Sequence, residues 1–258
     1  MSKKDIRSLS LDQIKKFFLE NSFNEYRGDQ VYSWLWEKSA INFQQMTNLP
    51  KSIRSILEES FIVNHIRVHT IQKSKDGTIK NGIKLFDDLI VESVLIPTKK
   101  RITACISSQV GCSLNCKFCA TSRLKRMRNL NPDEIYDQVA LISKQSKEYY
   151  NRPLTNIVFM GMGEPLENLD AVIPAIEILA DNNGPAIASS RICVSTVGRI
   201  EGIKLLGAMA RTVGFKRLSL AFSVNAPNDK VRKKIMPLAR AVSMDQLRDA
   251  ILKYPRHD

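Results

Sequence analysis

Residues 111–120 read GCSLNCKFCA. Cys112, Cys116 and Cys119 stand in the spacing C-x3-C-x2-C, so one loop can aim three sulfurs at one centre. Soft thiolates at such spacing select iron–sulfur clusters or zinc. Structural zinc usually closes with four ligands, commonly as paired C-x2-C units, and no second such pair follows here. Three protein ligands on a four-iron cluster leave one iron open to a further ligand.

Around this loop the pattern is strand, loop, helix, repeated. A strand over 102–110 leads into it, with Thr103, Cys105 and Ser107 on one face and Ala104 and Ile106 on the other. A helix follows with Asn131 as N-cap, Pro132 at N1, Glu134 at N3 and Ile135, Val139 and Ile142 as its apolar stripe. Further strands are expected over 155–160, 192–196 and 218–224. Their helices carry Val172, Ile176 and Leu179, then residues 200–210, then a Ser243/Gln246 capping box with Leu247 and Ile251 buried. Strands alternating with helices imply parallel pairing and right-handed crossovers. The class is α/β, a partial (β/α) barrel of four units. A four-stranded sheet would leave 218–224 as an apolar edge, so the barrel is expected to be incomplete at its C-terminal side.

Upstream, Ser10 and Gln13 form a capping box ahead of Leu11, Ile14, Phe17 and Phe18. Helices are also expected over 27–38 and after Pro50. Residues 1–61 thus read as a small helical domain with basic groups suited either to solvent or to RNA. Residues 62–100 read as an antiparallel connector, with Asp76-Gly77 as a hairpin turn and strands over 83–86 and 89–96. Glu92 lies in the apolar strand LIVESVLIP and shares a face with Ile90 and Val94. It is either an edge-strand solubility device or a group facing a site, and the pattern alone favours the edge. The barrel occupies 101–258.

The composition is that of a globular protein, 43% hydrophobic and 25% charged over 258 residues, with a net charge of +13. Such a balance favours a polyanionic partner, nucleic acid first, over the bland reading of a basic proteome or simple solubility. No apolar targeting segment opens the chain and no run approaches the length of a membrane span. Five cysteines, an odd number, then point to a reducing cytoplasm and to metal or redox chemistry rather than disulfide staples.

Ligands of parallel βα folds gather at the carboxyl ends of the strands. Each strand here ends in a polar or glycine-rich feature: the cysteine loop, Gly161-Met162-Gly163-Glu164-Pro165, Ser195-Thr196-Val197-Gly198, and Ser223-Val224-Asn225. A cysteine triplet after the first strand and a glycine–glutamate loop after the second resemble the radical S-adenosylmethionine (SAM) superfamily, and Phe118 before the last cysteine also fits. The segments RGDQVYSWLW, FQQMTNLPKSIR, VESVLIP, CISSQVGCSLNCKFCAT, RNLNPDEIYDQV, NIVFMGMGEPLEN, RICVSTVG and SVNAPND resemble, in order, the RlmN-type ribosomal RNA adenine-C2 methyltransferases. The resemblance implies a 4Fe–4S cluster on Cys112, Cys116 and Cys119, and SAM against Gly163, Glu164, Ser195, Ser223, Val224 and Asn225. Glu92 matches the family's proton acceptor, which displaces the edge reading, and Cys105 matches a second catalytic cysteine that resolves a protein–RNA cross-link. It further implies methylation of 23S ribosomal RNA and transfer RNA, an electron donor of the flavodoxin kind, a monomer and a transient disulfide.

The sequence departs from that family in three places. No cysteine follows Cys193, so the cysteine that carries the methyl group in the family reaction is absent, and the chain is expected to be C-terminally truncated and unable to complete transfer. Cys193 itself reads as a buried mid-strand thiol. Ser122 stands where the family has glycine, and Ser223-Val224-Asn225 where it has Ser-Leu-His. The basic run Arg123, Lys125, Arg126, Arg128 reads either as a solvated face or as phosphate contacts. Three other functions remain open on these residues: adenine-C8 methylation, an inactive iron–sulfur RNA-binding chain, and a zinc-dependent RNA-binding module.

Overall fold

The computed structural model describes residues 3–256. In chain order the elements are β1 (Lys4–Asp5), α1 (Leu11–Glu20), α2 (Tyr26–Trp36), α3 (Lys51–Ser60), β2 (Phe61–Ile62), β3 (Arg67–Lys73), β4 (Ile79–Lys84), β5 (Ile90–Pro97), β6 (Ile102–Cys105), β7 (Gln109–Val110), β8 (Arg128–Asn129), α4 (Pro132–Tyr150), β9 (Asn156–Phe159), α5 (Leu169–Ala180), β10 (Ile192–Thr196), α6 (Ile200–Met209), β11 (Ser219–Phe222), α7 (Asp229–Ile235) and α8 (Met244–Leu252). One seven-stranded sheet carries the molecule, in the order β11-β10-β9-β6-β5-β4-β3. Strands β6, β9, β10 and β11 are parallel, with helical crossovers between them. Strands β5, β4 and β3 continue the same sheet antiparallel. The expected four βα units are present, and the connector strands extend their sheet.

Local sequence explains most element ends. Ser10 Oγ accepts from Gln13 N–H at 3.2 Å and Gln13 Oε1 accepts from Ser10 N–H at 2.9 Å, closing the box that starts α1. The same pair of bonds, Ser243 with Gln246, starts α8. Asn131 and Glu134 cap α4 reciprocally.

Three expectations are corrected. The strand over 102–110 stops at Cys105, because both main-chain groups of Ser107 go to the Gln138 side chain of α4, at 2.8 and 3.1 Å. Residues 109–110 pair instead with β8 in a separate two-stranded sheet. Helix α7 was not anticipated: only Val231 and Ile235 are apolar in DKVRKKI, although Asn228 supplies a cap by accepting from Val231 N–H at 3.0 Å. Ile251 is half-buried, and Tyr254 takes the core place expected for it, donating its hydroxyl to the Leu218 carbonyl at 2.9 Å.

The helical N-terminal part is held on α4. Arg7 is buried and bonds Asp137 at 2.7 Å and Asp133 at 3.1 Å, both on α4, and also the Asn64 carbonyl. Trp36 meets Tyr136 edge-to-face at 5.0 Å, and the Tyr136 hydroxyl donates to the Trp36 carbonyl at 2.6 Å. The buried hydrophobic side chains of the helical part and of the barrel form one continuous core.

Burial pushes the Asp137 carboxyl up to about 6 and raises that of Asp133, with Arg7 opposing both shifts. Arg7→Met is therefore expected to destabilise the chain by about 3–5 kcal/mol at pH 8, because it strands two buried carboxylates. Their folded-state pKa values then rise further above the unfolded value. The stability tied to a raised carboxyl is present below its unfolded pKa and lost as pH climbs through the folded one. Urea melts should show the gap between wild type and variant narrowing as pH falls from about 8 towards the Asp137 value of about 6. An equal gap at every pH would sink this account.

Candidate active site

The strand register lays out one face of the sheet. Val94, Cys105, Val158, Cys193 and Ser219 stand side by side across β5, β6, β9, β10 and β11. Residues two places along a strand share its face, so Thr103, Asn156 and Ser195 belong here too. The opposite face holds Ala104, Ile157, Ile192 and Val194, all fully buried. Cys193 is thus mid-strand as expected, but its thiol is half-buried on the same open face as Cys105 rather than lost in the core.

Strand β5 lies between β4 and β6, so the edge-strand reading of Glu92 is wrong. Glu92 shares the open face with Val94, and Val94 pairs directly with Cys105. Glu92 and Cys105 are therefore diagonal neighbours, a relation that sets about 7–8 Å between them. Because β5 is antiparallel to β6, Glu92 projects just beyond the carboxyl end of β6, level with Ser107. Ser107 Oγ donates to the Glu92 carbonyl at 2.6 Å and accepts from Met162 N–H at 2.8 Å. The Glu92 side chain is exposed and accepts from Lys80 Nζ at 2.9 Å. Cys105 is half-buried. Burial raises its thiol, partly offset by the Met160 N–H.

The loop after β9 packs onto the chain that leaves β6. A Cβ on Gly161 would meet the Ile106 carbonyl at 2.7 Å, and one on Gly163, whose φ is +98°, would meet Gln109 Cβ at 2.5 Å. Close approach of the Ile106 carbonyl accounts for Gly161, and the left-handed φ with the nearby Gln109 side chain for Gly163. Glu164 is 2% exposed. Its N–H donates to Gln109 Oε1 at 2.9 Å, Oε1 accepts from Leu166 N–H at 3.1 Å, and Oε2 accepts from Val197 N–H at 3.0 Å. Burial raises this carboxyl, while the Val197 and Leu166 N–H groups and the Thr196 hydroxyl work the other way. Glu164 thereby joins the ends of β9 and β10. A carboxylate has about four acceptor positions, so these donors do not exhaust it.

The cysteine loop begins at Gly111, whose φ is +76° and whose Cβ would collide with the Lys125 carbonyl at 2.3 Å. Asn115 takes the left-handed conformation in mid-loop, at φ 56°. Cys112, Cys116 and Cys119 all border one small apolar cluster built on Leu114, Cys116, Met236 and Ala239. Burial pushes the Cys116 thiol up to about 11, with further upward pressure from Cys112, Cys119 and Glu164. The Ser122 hydroxyl lies 2.6 Å from the Cys116 carbonyl and 2.7 Å from that of Cys119, and so bridges the last turn of the loop. Lys117 N–H donates to the Ile235 carbonyl at 2.9 Å, docking the loop on α7.

Among the described residues, no group of three or more His, Cys, Asp or Glu side chains is drawn together tightly enough to hold a single metal ion. Structural zinc usually takes four protein ligands, whereas three would leave a four-iron cluster one iron for a further ligand. The donor set, three soft thiols around one apolar pocket, fits such a cluster. So does Arg232 on α7, a wholly buried guanidinium beside Cys116 whose Nε and Nη1 have no partner.

The turn after β11 is only partly drawn in. Ser223 N–H donates to the Thr196 carbonyl at 2.9 Å, Asn225 is left-handed at φ 55°, and Val224 is exposed. Around the loop, Phe118, Leu124 and Met127 are 55%, 56% and 68% exposed, beside exposed Arg123, Lys125 and Arg126. Arg128 departs from the expected basic run: it is half-buried and bonds Glu134 at 2.7 Å and Asp87 at 2.6 Å. Sequence reasoning missed Ser107, Gln138 and Arg232. Gln138 lies within the apolar-striped helix, and Arg232 within a stretch whose charge reads as solvated.

Residues 106–255 match the family model described as the radical SAM superfamily. A crystal structure of a radical SAM methyltransferase from Sphaerobacter thermophilus superposes with a TM-score of 0.87 and 32% identity, covering 98% of this chain and 74% of that one. The fold is that of a radical SAM methyltransferase. Residues 4–63 match the model described as the ribosomal RNA large subunit methyltransferase N-terminal domain. The chain is 53% identical over 251 residues to the probable dual-specificity RNA methyltransferase RlmN of Flavobacterium psychrophilum, covering 97% of this chain and 71% of that protein. It is 41% identical to the dual-specificity RNA methyltransferase RlmN of Geobacter sulfurreducens, again over 97% of this chain. It belongs to the RlmN family. Among the described residues no helix is long and apolar enough to cross a membrane.

Gln138→Leu should cost about 1–3 kcal/mol for each main-chain group of Ser107 left buried and unpaired. Chemical denaturation measures that loss. Amide exchange should show Met162 N–H opening early in the variant, since its acceptor is the Ser107 hydroxyl; unchanged protection there would contradict the linkage.

Proposed function

We propose that this chain carries the radical SAM chemistry of an enzyme that methylates C2 of an adenine in 23S ribosomal RNA and in transfer RNA. The observation that carries the reading is the placing of Glu92 and Cys105 as diagonal neighbours on the open face, at the strand ends where the cysteine loop and Glu164 also lie. Adenine C2 is electrophilic, so polar methyl transfer from SAM does not reach it and a carbon radical must be added. Cys112, Cys116 and Cys119 would hold a 4Fe–4S cluster, which together with SAM would supply the radical chemistry this needs.

The chain's own residues have separable roles in this reading. Glu164 keeps acceptor capacity for an ammonium group while holding β9 to β10. Gly163, Ser195 and the Ser223, Val224, Asn225 turn line the strand ends through which SAM would lie. Glu92 takes the C2 proton. It is exposed, and Lys80 orients it through a bond of 2.9 Å, an exposed pair worth at most about 1 kcal/mol. Cys105, whose thiol burial raises, would attack as thiolate the carrier sulfur that tethers the methylated base: a disulfide forms, the sulfur–carbon bond breaks, and its electron pair stays on the carbon attached to the base, which takes up a proton to become the methyl group. Exposed Arg123, Lys125 and Arg126, flanked in the chain by exposed Phe118 and Met127, suit RNA phosphates and bases. The domain division at residues 61 and 100, a flavodoxin-like electron donor, a monomeric state and a cytoplasmic setting belong to the same reading. No observation favours C8 methylation or a zinc module over it; the reading of an inactive RNA-binding chain draws only on the missing carrier cysteine.

The 258 residues hold no cysteine after Cys193, so the methyl carrier of the family reaction is not among them. Reconstituted anaerobically, the chain should bind about four irons and, with SAM and dithionite, release 5′-deoxyadenosine without forming 2-methyladenosine in 23S rRNA. Fused to the cysteine-bearing C-terminal segment of a relative, it should form the methylated base. In the fusion, Glu92→Gln should lower methylation by about 10²–10⁴-fold, the range of a lost general base. A colourless protein holding one zinc would overturn the reading.

A further inference from the structure

Arg232 has no part in the reading above, yet it is the least satisfied buried charge among the described residues. It lies in α7, wholly enclosed, between the ends of β10 and β11 and the cysteine loop. Nη2 donates to the Val197 carbonyl at 2.6 Å, and the guanidinium carbon stands 5.3 Å from the centroid of the Phe222 ring. Nε and Nη1 are buried without a partner. Arg7 offers the comparison, being also buried but bonded to two carboxylates. Asp229, three residues before it on α7, acts on it through charge, and its Oδ1 already accepts from Met244 N–H at 3.0 Å. Burying a guanidinium with unpaired N–H groups costs several kcal/mol, and a chain does not hold that cost without a return.

The other group acting on Arg232 is Cys116. Cys116 packs with Met236 and Ala239, which follow Arg232 on the same stretch, and the Met236 N–H donates back to the Arg232 carbonyl at 2.8 Å. The Ile235 carbonyl binds the loop at Lys117. Helix α7 therefore carries one buried positive charge to the cysteine loop, and carries it rigidly. We propose that Arg232 is a positioning residue for the reduced cluster: its free Nε–H and Nη1–H groups donate to the cluster sulfurs at Cys116, and its charge raises the cluster's reduction potential. This rests on the 4Fe–4S reading of the cysteine loop. Reduction adds one electron to an anionic group. A fixed positive charge in a medium of low dielectric constant favours that state, and hydrogen bonds to the sulfurs act in the same direction.

The test uses the 258-residue chain as wild type and as Arg232→Met, Arg232→Gln and Arg232→Lys. Iron content, SAM affinity and an EPR-monitored redox titration are measured on each, and thermal melts on the metal-free forms. The methionine and glutamine variants should take up about four irons and titrate at a potential lower by at least about 59 mV, a tenfold shift in the one-electron equilibrium. The lysine variant, which keeps the charge, should recover more than half of that shift. Metal-free Arg232→Met should lose no more than the single Nη2 bond to the Val197 carbonyl, because the other two donors have no partner to lose; a larger drop in the melt would give the arginine a purely structural role. Should the methionine variant fail to load iron, the glutamine variant decides the matter on potential alone. Equal potentials in wild type and glutamine variant overturn the assignment. So does an unchanged potential with weakened SAM binding, which would give the guanidinium to the ligand instead. If wild type itself assembles no four-iron cluster, the cofactor reading falls first and this assignment with it.

Discussion

The two bonds between Ser107 and the Gln138 side chain hold the site together. Without them the first parallel strand would run on past Cys105 and the cysteine loop would start elsewhere. With them, the chain turns out of the sheet, its main-chain groups are satisfied at the turn, and the Ser107 hydroxyl becomes free to join the Glu92 carbonyl to the Met162 N–H. One residue thus fixes the end of β6, the position of Glu92 on β5, and the glycine loop after β9. These hydrogen bonds lie in a fully buried place, where an unpaired partner costs more than the bond itself contributes.

The second organising contact is Glu164. In the structure it behaves first as a bracket between strand ends and only then as a candidate ligand group, since Leu166 and Val197 both donate to it. Val197 is gripped again, through its carbonyl, by Arg232. Glu164, Val197, Arg232 and Cys116 therefore form a continuous sequence of contacts and charge interactions from β9 through β10 and α7 to the cysteine loop. A carboxylate and a guanidinium lie at either side of the one peptide segment, each partly unspent. Sites that must bind a charged ligand or hold an anionic group commonly leave such capacity in reserve.

The helical N-terminal part is tied to the same helix that supplies Gln138. Arg7 reaches Asp133 and Asp137 on α4, and Tyr136 on α4 meets Trp36. Arg128 ties the same N-terminal end of that helix, at Glu134, to Asp87 in the β4–β5 turn. Helix α4 is thereby the common support of the N-terminal part, the connector strands and the first strand of the barrel, and the open face of the sheet inherits its rigidity.

The sequence by itself determined what depends on neighbours along the chain. The cap boxes at Ser10, Asn131 and Ser243, the strand at Ile192–Thr196, the cysteine spacing and the glycine–glutamate loop are all local, because a cap or a turn needs only three or four residues to be satisfied. Through the resemblance carried by those segments, the radical SAM class and the RlmN family were legible as well. Only the tertiary structure decided where Glu92 stands, since whether a strand is an edge depends on which strands pair beside it. It also decided that the first strand ends at Cys105, because the competing donor and acceptor come from Gln138, thirty-one residues away. It turned the Cys193 thiol onto the open face, engaged Arg128 with two carboxylates, and enclosed Arg232 beside Cys116. The cysteine loop says by its spacing that soft metal chemistry is intended; the charge set against it comes from a helix more than a hundred residues further along, which only folding brings within reach.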